Sequence, residues 1–256
     1  MSKRTDSNIY TIIFAIAMVV LVGSILAFVA SSLRGRIAQN GRIETQQNIL
    51  YAVGVNENEQ PYSGSGSVNF IPSENVEEKF SKYIIKQYIL QGGEMQEDPE
   101  AYLVDLAKEE QAAKNPNYNK RLPLFEAQRD GEKYYIIPMR GQGLWDAIWG
   151  YMALDTDMIV KGVYFDHASE TPGLGSNIRE RFFMDDFHGE HVYDAQGNLQ
   201  GITVAKGNMD PLNKRKEDHK VDAIAGSTIT GDGVTNMIRK YLALYHPYFQ
   251  QIKSQN

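Results

Sequence analysis

Residues 133–165, KYYIIPMRGQGLWDAIWGYMALDTDMIVKGVYF, decide the fold of the C-terminal part of the chain. Three runs in this stretch, at 133–139, 148–154 and 158–165, are rich in aromatic and β-branched residues. Runs of this length and composition predict β-strands, and Asp155-Thr156-Asp157 predicts a turn between the last two. A fourth run, GITV at 201–204, predicts another strand after a turn at 194–198.

Apolar residues at helical spacing lie on both sides of these strands. A closing helix that ends at Pro247 is predicted downstream, and an amphipathic helix between Glu74 and Gln91 upstream. Separate blocks of helix and strand predict an α+β fold. The periodic positions are Val234, Ile238, Tyr241, Leu242 and Tyr245 in the first helix, and Val76, Phe80, Tyr83, Ile84 and Tyr88 in the second.

The segment Ile12–Ala30, IIFAIAMVVLVGSILAFVA, contains no charged residue. At about 1.5 Å per residue it covers roughly the 30 Å hydrocarbon layer of a bilayer. The alternative is a cleaved signal peptide with Lys3 and Arg4 as its basic region. The apolar run is longer than the usual h-region of about 7–15 residues, and Phe28-Val29-Ala30 is a poor cleavage site. We therefore expect a retained transmembrane helix at 9–31 after a short tail at 1–8.

The remaining chain is expected to divide into two parts. Residues 32–120 form a helical stalk, from Ser31 to about Val55, and a variable region of helix and loop that includes a polar, turn-rich loop at 56–67. Residues 121–256 form the α+β domain that contains the strands.

Charge and cysteine content exclude several classes of function. The chain has 26 basic and 32 acidic residues, and residues 43–256 alone have 21 against 31, a net charge of −10. An acidic domain argues against nucleic acid as a partner, which usually needs a basic surface. With no cysteine, the chain cannot form disulfides, thiolate zinc sites or iron–sulfur clusters.

Common catalytic motifs are weak or missing. Gly141-Gln142-Gly143 supplies only the first half of a dinucleotide fingerprint. His188 and His191 have no third ligand at a telling spacing, so no metal site is predicted. Asp185-Asp186 is interpreted as a solvated acidic turn. No residue is assigned as catalytic in its own right.

Two segments combine glycine with hydroxyl groups. The first, HASETPGLG at 167–175, follows a predicted strand, and its glycines allow backbone amides to approach a ligand closely. The second, DAIAGSTITG at 222–231, precedes the closing helix, where free amides and the helix dipole favour a phosphate. Taken alone, the second is most simply an N-cap and the first a Pro-Gly turn.

Together the two segments resemble the FMN-binding domain family, which is shared by the NqrC protein of the sodium-translocating NADH:quinone reductase and the RnfG protein of the Rnf complex. The family pattern is HxETPGLG followed by S/T-G-A-S/T-x-T. The first segment has one extra residue between His167 and Glu170. In the second, AGSTIT, Ala225 and Ser227 depart from the pattern while Gly226, Thr228 and Thr230 match.

The resemblance implies that 121–256 is an FMN-binding domain behind a single N-terminal anchor. In the family the last threonine of the second motif carries FMN through a phosphoester placed by a flavin transferase, and here that residue is Thr230. The flavin ring is expected near the loop amides, Leu174 and Trp145. On composition alone, Trp145 is more simply a core aromatic residue. The implied cofactor-binding residues are Thr230, Thr228, Ser227, Gly226, Glu170, Thr171, Pro172, Gly173, Leu174, Gly175 and Trp145.

The resemblance also implies partners and a location. These are an NADH-oxidising FAD subunit, integral-membrane subunits, the flavin transferase and a bacterial inner membrane, with the soluble part in the periplasm. The basic residues flanking the span lean weakly towards a cytoplasmic domain instead. Two alternatives stay open: an Rnf-type covalent flavoprotein and a membrane-anchored scaffold without a cofactor.

Overall fold

The computed structural model describes residues 8–59, 61–62, 64, 66–207, 210 and 212–255 of the chain, which divides into two compact units, 1–43 and 44–256. The helices are α1 (Asn8–Ala52), α2 (Val76–Tyr83), α3 (Leu106–Ala112), α4 (Arg181–Met184) and α5 (Thr228–Gln255). The strands are β1 (Ile84–Gln91), β2 (Glu94–Glu97), β3 (Leu122–Arg129), β4 (Glu132–Gln142), β5 (Ala147–Leu154), β6 (Val160–His167), β7 (Thr203–Ala205) and β8 (Lys220–Asp222).

The first unit contains most of α1, and its described side chains are exposed as far as Arg42. Among the described residues, α1 is the one helix long and apolar enough to cross a membrane. A helix that is apolar all round and uncovered by protein suits a lipid environment. The single-pass anchor predicted at 9–31 fits this helix, which continues to Ala52 as the stalk prediction expected. Residues 1–7, with Lys3 and Arg4, lie outside the described part.

The second unit is built on a six-stranded antiparallel sheet in the order β2-β1-β3-β4-β5-β6. The apolar face of α5 packs against β4, and the Tyr245 hydroxyl donates to the Pro123 carbonyl at 2.6 Å. Strands β7 and β8 form a small parallel pair beside α5. The predicted α+β class is confirmed, as are the strands predicted within 133–165 and at 201–204.

The helix predicted between Glu74 and Gln91 is wrong in its second half. Helix α2 ends at Tyr83, and residues from Ile84 onward form β1. Isoleucines at 84, 85 and 89 favour an extended backbone, and pairing with β3 buries Ile84 and Ile89 in the sheet. The helical periodicity therefore runs across the junction of two elements.

The closing helix does not end at Pro247, which lies inside α5. Tyr248, Phe249 and Ile252 after the proline are buried, and His246 just before it bonds the Tyr193 hydroxyl at 2.8 Å. These tertiary contacts hold the last turns in place although proline removes a helical hydrogen bond.

Asp185 is not solvated, contrary to the interpretation of an acidic turn. Its carboxylate accepts a hydrogen bond from Arg181 at 2.9 Å, and both side chains are buried. It also accepts the Gly64 amide at 2.9 Å. The pair is structural, because it ties α4 to the loop after α1.

Candidate functional site

Three segments distant in the chain meet at one end of the large sheet. The turn 143–146 joins β4 to β5, closed by the Gly143 amide bonding the Asp146 carbonyl at 2.8 Å. Residue Ile148 pairs with His167, so the loop after β6 leaves the sheet beside this turn. The first turn of α5 completes the site.

Two glycines let α5 approach this end of the sheet. A β-carbon at Gly233 would overlap the Gln142 carbonyl oxygen, and one at Gly141 would lie 2.8 Å from Cβ of Met237. Side chains at either position would push the helix outward. The Gly-x-Gly sequence at 141–143 therefore serves helix packing and, as described below, the placement of Glu170.

The carboxylate of Glu170 lies at the centre of the three segments. Its Oε2 accepts a hydrogen bond from the Thr230 hydroxyl at 2.6 Å, and its Oε1 accepts the Trp145 amide at 3.0 Å. Its own amide donates to Nδ1 of His167 at 3.1 Å. Glu170 is only 4% exposed and Thr230 only 1%. A buried carboxylate thus links all three segments through two uncharged donors.

The backbone is shaped to admit this carboxylate. A β-carbon at Gly143 would overlap Glu170 Oε1, and one at Gly175 would overlap Oε2 and lie 2.6 Å from Oγ1 of Thr230. The remaining loop is held by Thr171, whose carbonyl accepts the amides of Leu174 and Ser176 at 3.1 and 3.2 Å. The first motif therefore forms a compact turn around Glu170.

The N-terminus of α5 offers the features of a phosphate site. Thr230 lies in its first turn, where backbone amides have no helical acceptors. The hydroxyl of Ser227 is buried and has no hydrogen-bond partner within the described residues. Gly226 adopts φ +73°, and a β-carbon there would lie 3.0 Å from the Leu174 side chain. The predicted N-cap bond from Ser227 is not made, so this oxygen is available to a ligand.

An apolar rim surrounds the buried pair. Trp145 is 66% exposed, Leu174 42% and Ile229 56%. The indole N–H of Trp145 donates to the Thr171 hydroxyl at 3.1 Å, which fixes the ring at the mouth of the site. The interpretation of Trp145 as a core residue is therefore wrong. Exposed aromatic and aliphatic surface beside a polar pocket is typical of a site for a planar cofactor.

The structure brings most of the predicted residues together. Glu170, Thr230, Trp145, Thr171 and Gly175 are linked by the contacts given above, and Gly226, Ser227 and Leu174 adjoin them. Gly173 adopts φ +74° with open space around it, and Pro172 and Thr228 are exposed without a recorded contact to the pair. Sequence reasoning missed Gly143, Ile229 and the role of His167 in fixing Glu170.

A second ionisable cluster lies around Glu190, away from these three segments. Glu190 is buried, and its Oε1 accepts a hydrogen bond from Asn213 at 3.0 Å and lies 3.9 Å from Nζ of Lys216. Burial raises the pKa of Glu190 to about 8, against the opposing effects of Asn213 and Lys216. Burial also raises the pKa of Asp186 to about 6. No group of three or more His, Asp or Glu side chains that could hold a metal occurs in the described chain.

Comparisons with known proteins agree with this site. The model of the FMN-binding domain family matches residues 143–243, which include every residue of the buried pair and its rim. The NqrC protein of the Na(+)-translocating NADH-quinone reductase from Pseudomonas aeruginosa is 29% identical and aligns over 93% of this chain and 92% of its own. The Yersinia pestis protein of the same name is 26% identical over 98% and 95%.

Solved structures give the same result. The crystal structure of the corresponding protein from Parabacteroides distasonis is similar with a TM-score of 0.68 at 29% identity, over 85% of this chain and 96% of that one. The Shewanella oneidensis NqrC structure gives 0.65 at 25%, over 83% and 98%. In both sequence and fold, the likeness extends well beyond the matched domain. The chain belongs to the NqrC family, whose members are subunits of Na(+)-translocating NADH-quinone reductases.

Proposed function

We propose that this chain carries FMN covalently, as a phosphoester on Thr230, and relays electrons within a sodium-translocating NADH:quinone oxidoreductase. The observation that carries the proposal is the placement of the Thr230 hydroxyl in the first turn of α5, beside the buried and unpartnered hydroxyl of Ser227. A helix N-terminus stabilises a phosphate through its amides and dipole. The match to the FMN-binding domain family supports the same cofactor.

The residues present fit each part of FMN. Amides of the first turn of α5 and the Ser227 hydroxyl would hold the phosphate, and Gly226 leaves its approach open. The exposed faces of Trp145 and Leu174 would contact the ring, and amides of the loop 171–175 would meet its polar edge. When bound, FMN supplies electron transfer in one-electron or two-electron steps. The protein's part is to tether the phosphate end and set the polarity around the ring.

A covalent tether suits a site this open. The rim residues are exposed, so a ring beside them would be within reach of redox partners, and non-covalent binding would rest on little buried area. Esterification of the phosphate leaves the ring electronics unchanged, since the ribityl chain separates the two.

The partners and the location are part of the proposal. We infer that an NADH-oxidising FAD subunit and integral-membrane subunits supply NADH oxidation, the sodium path and quinone reduction. Helix α1 would anchor the chain in the bacterial inner membrane with the domain in the periplasm, and a flavin transferase would attach the cofactor. The names of the relatives support the complex, and the exposed apolar α1 supports the anchor.

In-gel flavin fluorescence tests the tether. The full chain, co-expressed with a flavin transferase, should give a fluorescent band on a denaturing gel and one FMN phosphoester adduct in its intact mass. Thr230→Ala should abolish both signals, whereas Thr228→Ala, its matched control in the same turn, should keep them. A fluorescent Thr230→Ala band would move the attachment to Thr228 or Ser227. A dark wild-type band would favour the cofactor-free scaffold.

Copurification tests the complex. From detergent-solubilised membranes, the tagged chain should bring down an NADH-oxidising FAD subunit. Recovery of a ferredoxin-linked subunit instead would assign the chain to an Rnf-type complex.

A further inference from the structure

We propose that Glu170 is the catalytic base of flavin attachment, the group that takes the proton of the Thr230 hydroxyl as the phosphoester forms. This inference rests on the proposed function. The geometry points to it because Glu170 Oε2 lies 2.6 Å from Oγ1 of Thr230, the atom that would react. That distance is within the reach required of a general base. It is also the short separation typical of a hydroxyl bonded to a carboxylate.

The carboxylate is held in place by groups other than Thr230. Its Oε1 is occupied by the Trp145 amide at 3.0 Å, so Oε2 is the oxygen directed to the hydroxyl. The Glu170 backbone is fixed through His167 at 3.1 Å. Gly143 and Gly175 leave the space that its two oxygens fill. A carboxylate that only stabilised the loop would not need glycines on both sides.

The surroundings of Glu170 suit proton transfer. Its two recorded hydrogen-bond partners are an amide and a hydroxyl, neither of which carries a charge. It differs in this from Glu109, whose Oε1 accepts bonds from Arg121 at 2.8 and 2.9 Å and which is thereby held as an anion. A carboxylate without a paired cation is the better proton acceptor, because no favourable ion pair is lost when it becomes neutral.

The reaction needs an activated form of FMN. A threonine hydroxyl is a weak nucleophile, and an ester from free FMN would require loss of water. The co-reactant is therefore a phosphoanhydride of FMN, as in a flavin dinucleotide. The bond from Thr230 Oγ1 to phosphorus forms, the anhydride P–O bond breaks, and its electron pair leaves with the second phosphate. The hydroxyl proton moves to Glu170 Oε2, and no group is oxidised or reduced.

Proton transfer also explains how the product can be accommodated. A charged Glu170 would repel the anionic phosphodiester attached to the neighbouring oxygen, whereas the neutral acid is free of this repulsion and can donate a hydrogen bond to it. The same group thus serves the reaction and the attached state.

The test measures the rate of flavin attachment to the full apo-chain in detergent. It uses purified flavin transferase and flavin dinucleotide, with in-gel fluorescence and intact mass as readouts. Glu170→Gln should lower kcat about 10²–10⁴-fold, the usual contribution of a general base, with little change in KM for the acceptor chain. Glutamine keeps the shape but offers a single acceptor oxygen for the two donors. Glu190→Gln, a second buried carboxyl far along the chain, should match the wild type.

A further variant separates chemistry from structural support. Glu170→Ala leaves a gap that a small carboxylate can fill, so added formate should restore attachment in this variant and leave Glu170→Gln unchanged. Attachment to Glu170→Gln at the wild-type rate would overturn the role of Glu170 and leave the FMN proposal intact. A slow Glu170→Ala variant that formate does not rescue would also overturn it and assign a purely structural role. A dark wild-type chain would overturn the proposed function itself.

Discussion

Replacing Gly175 by alanine tests the buried pair without any cofactor. The added methyl would overlap Glu170 Oε2 and lie 2.6 Å from Oγ1 of Thr230 and 3.2 Å from Cβ of Glu170. The carboxylate cannot retreat, because Gly143 packs against its other oxygen. The hydrogen bond between Glu170 and Thr230 must therefore break or the loop must shift.

The expected cost follows from these two contributions. Loss of a hydrogen bond to a charged group costs about 1.5–3 kcal/mol. Overpacking a tight site costs typically about 1–3 kcal/mol more. The matched control is Gly173→Ala in the same loop, where a β-carbon meets nothing within 4 Å and the cost is the strain of φ +74°. That strain is roughly 1–2 kcal/mol for a residue with a side chain.

Urea unfolding of residues 44–256, followed by the fluorescence of Trp145 and Trp149, measures both variants against the wild type. Gly175→Ala should be less stable than Gly173→Ala by about 1–3 kcal/mol, with a similar m-value. If Gly175→Ala unfolds at the same urea concentration as Gly173→Ala or a higher one, the description of the Glu170–Thr230 contact is incorrect.

Three other measurements examine separate parts of the molecule. Glu190, with a pKa of about 8, holds its proton in the folded state at pH values where the unfolded chain has lost it. Stability should therefore fall as pH rises from about 5 to 8, by at most about 1.4 kcal/mol per pH unit. Urea titrations of Glu190→Gln should show a flatter profile, the remainder due to Asp186; an unchanged slope would contradict the assignment. Asp105 caps α3 by accepting the Ala107 and Lys108 amides at 2.9 and 3.3 Å, so Asp105→Ala should cost about 1 kcal/mol in the same assay, and no loss would mean that the cap is not formed. Finally, residues 44–256 should sediment as a soluble species without detergent while the full chain requires it; equal solubility would argue against a membrane anchor.

Sequence patterns predicted those elements whose burial is set locally. Strands β4, β5 and β6 are central or adjoin the core, and their runs of β-branched and aromatic residues predict them directly. The apolar stripe of α5 likewise predicted its face. The junction of α2 and β1 was missed because Val76, Phe80 and Ile84 keep helical spacing up to the point where pairing with β3 takes over.

Other errors arose where tertiary contacts outweigh local preference. Pro247 disfavours a helix, but the burial of Phe249 and Ile252 continues α5 beyond it. Asp185 belongs to a residue type that is usually exposed, and here it is buried with Arg181. Neither outcome is visible to a rule that considers a short window of sequence.

The candidate site shows the limit of sequence reasoning most clearly. The two motifs identified Glu170 and Thr230 as members of separate loops, 60 positions apart in the chain, and nothing in either motif states that they touch. Their contact depends on the pairing of Gln142 with Ala147, which places the turn, and on the close approach of α5 at Gly233. Gly143 resembled half of a nucleotide fingerprint, yet its use is to leave room for a carboxylate. A glycine in a motif marks a close approach of backbone to some group, and the fold decides whether that group is a ligand or another side chain. At this site it is a side chain, and that side chain contacts the threonine proposed to carry the cofactor.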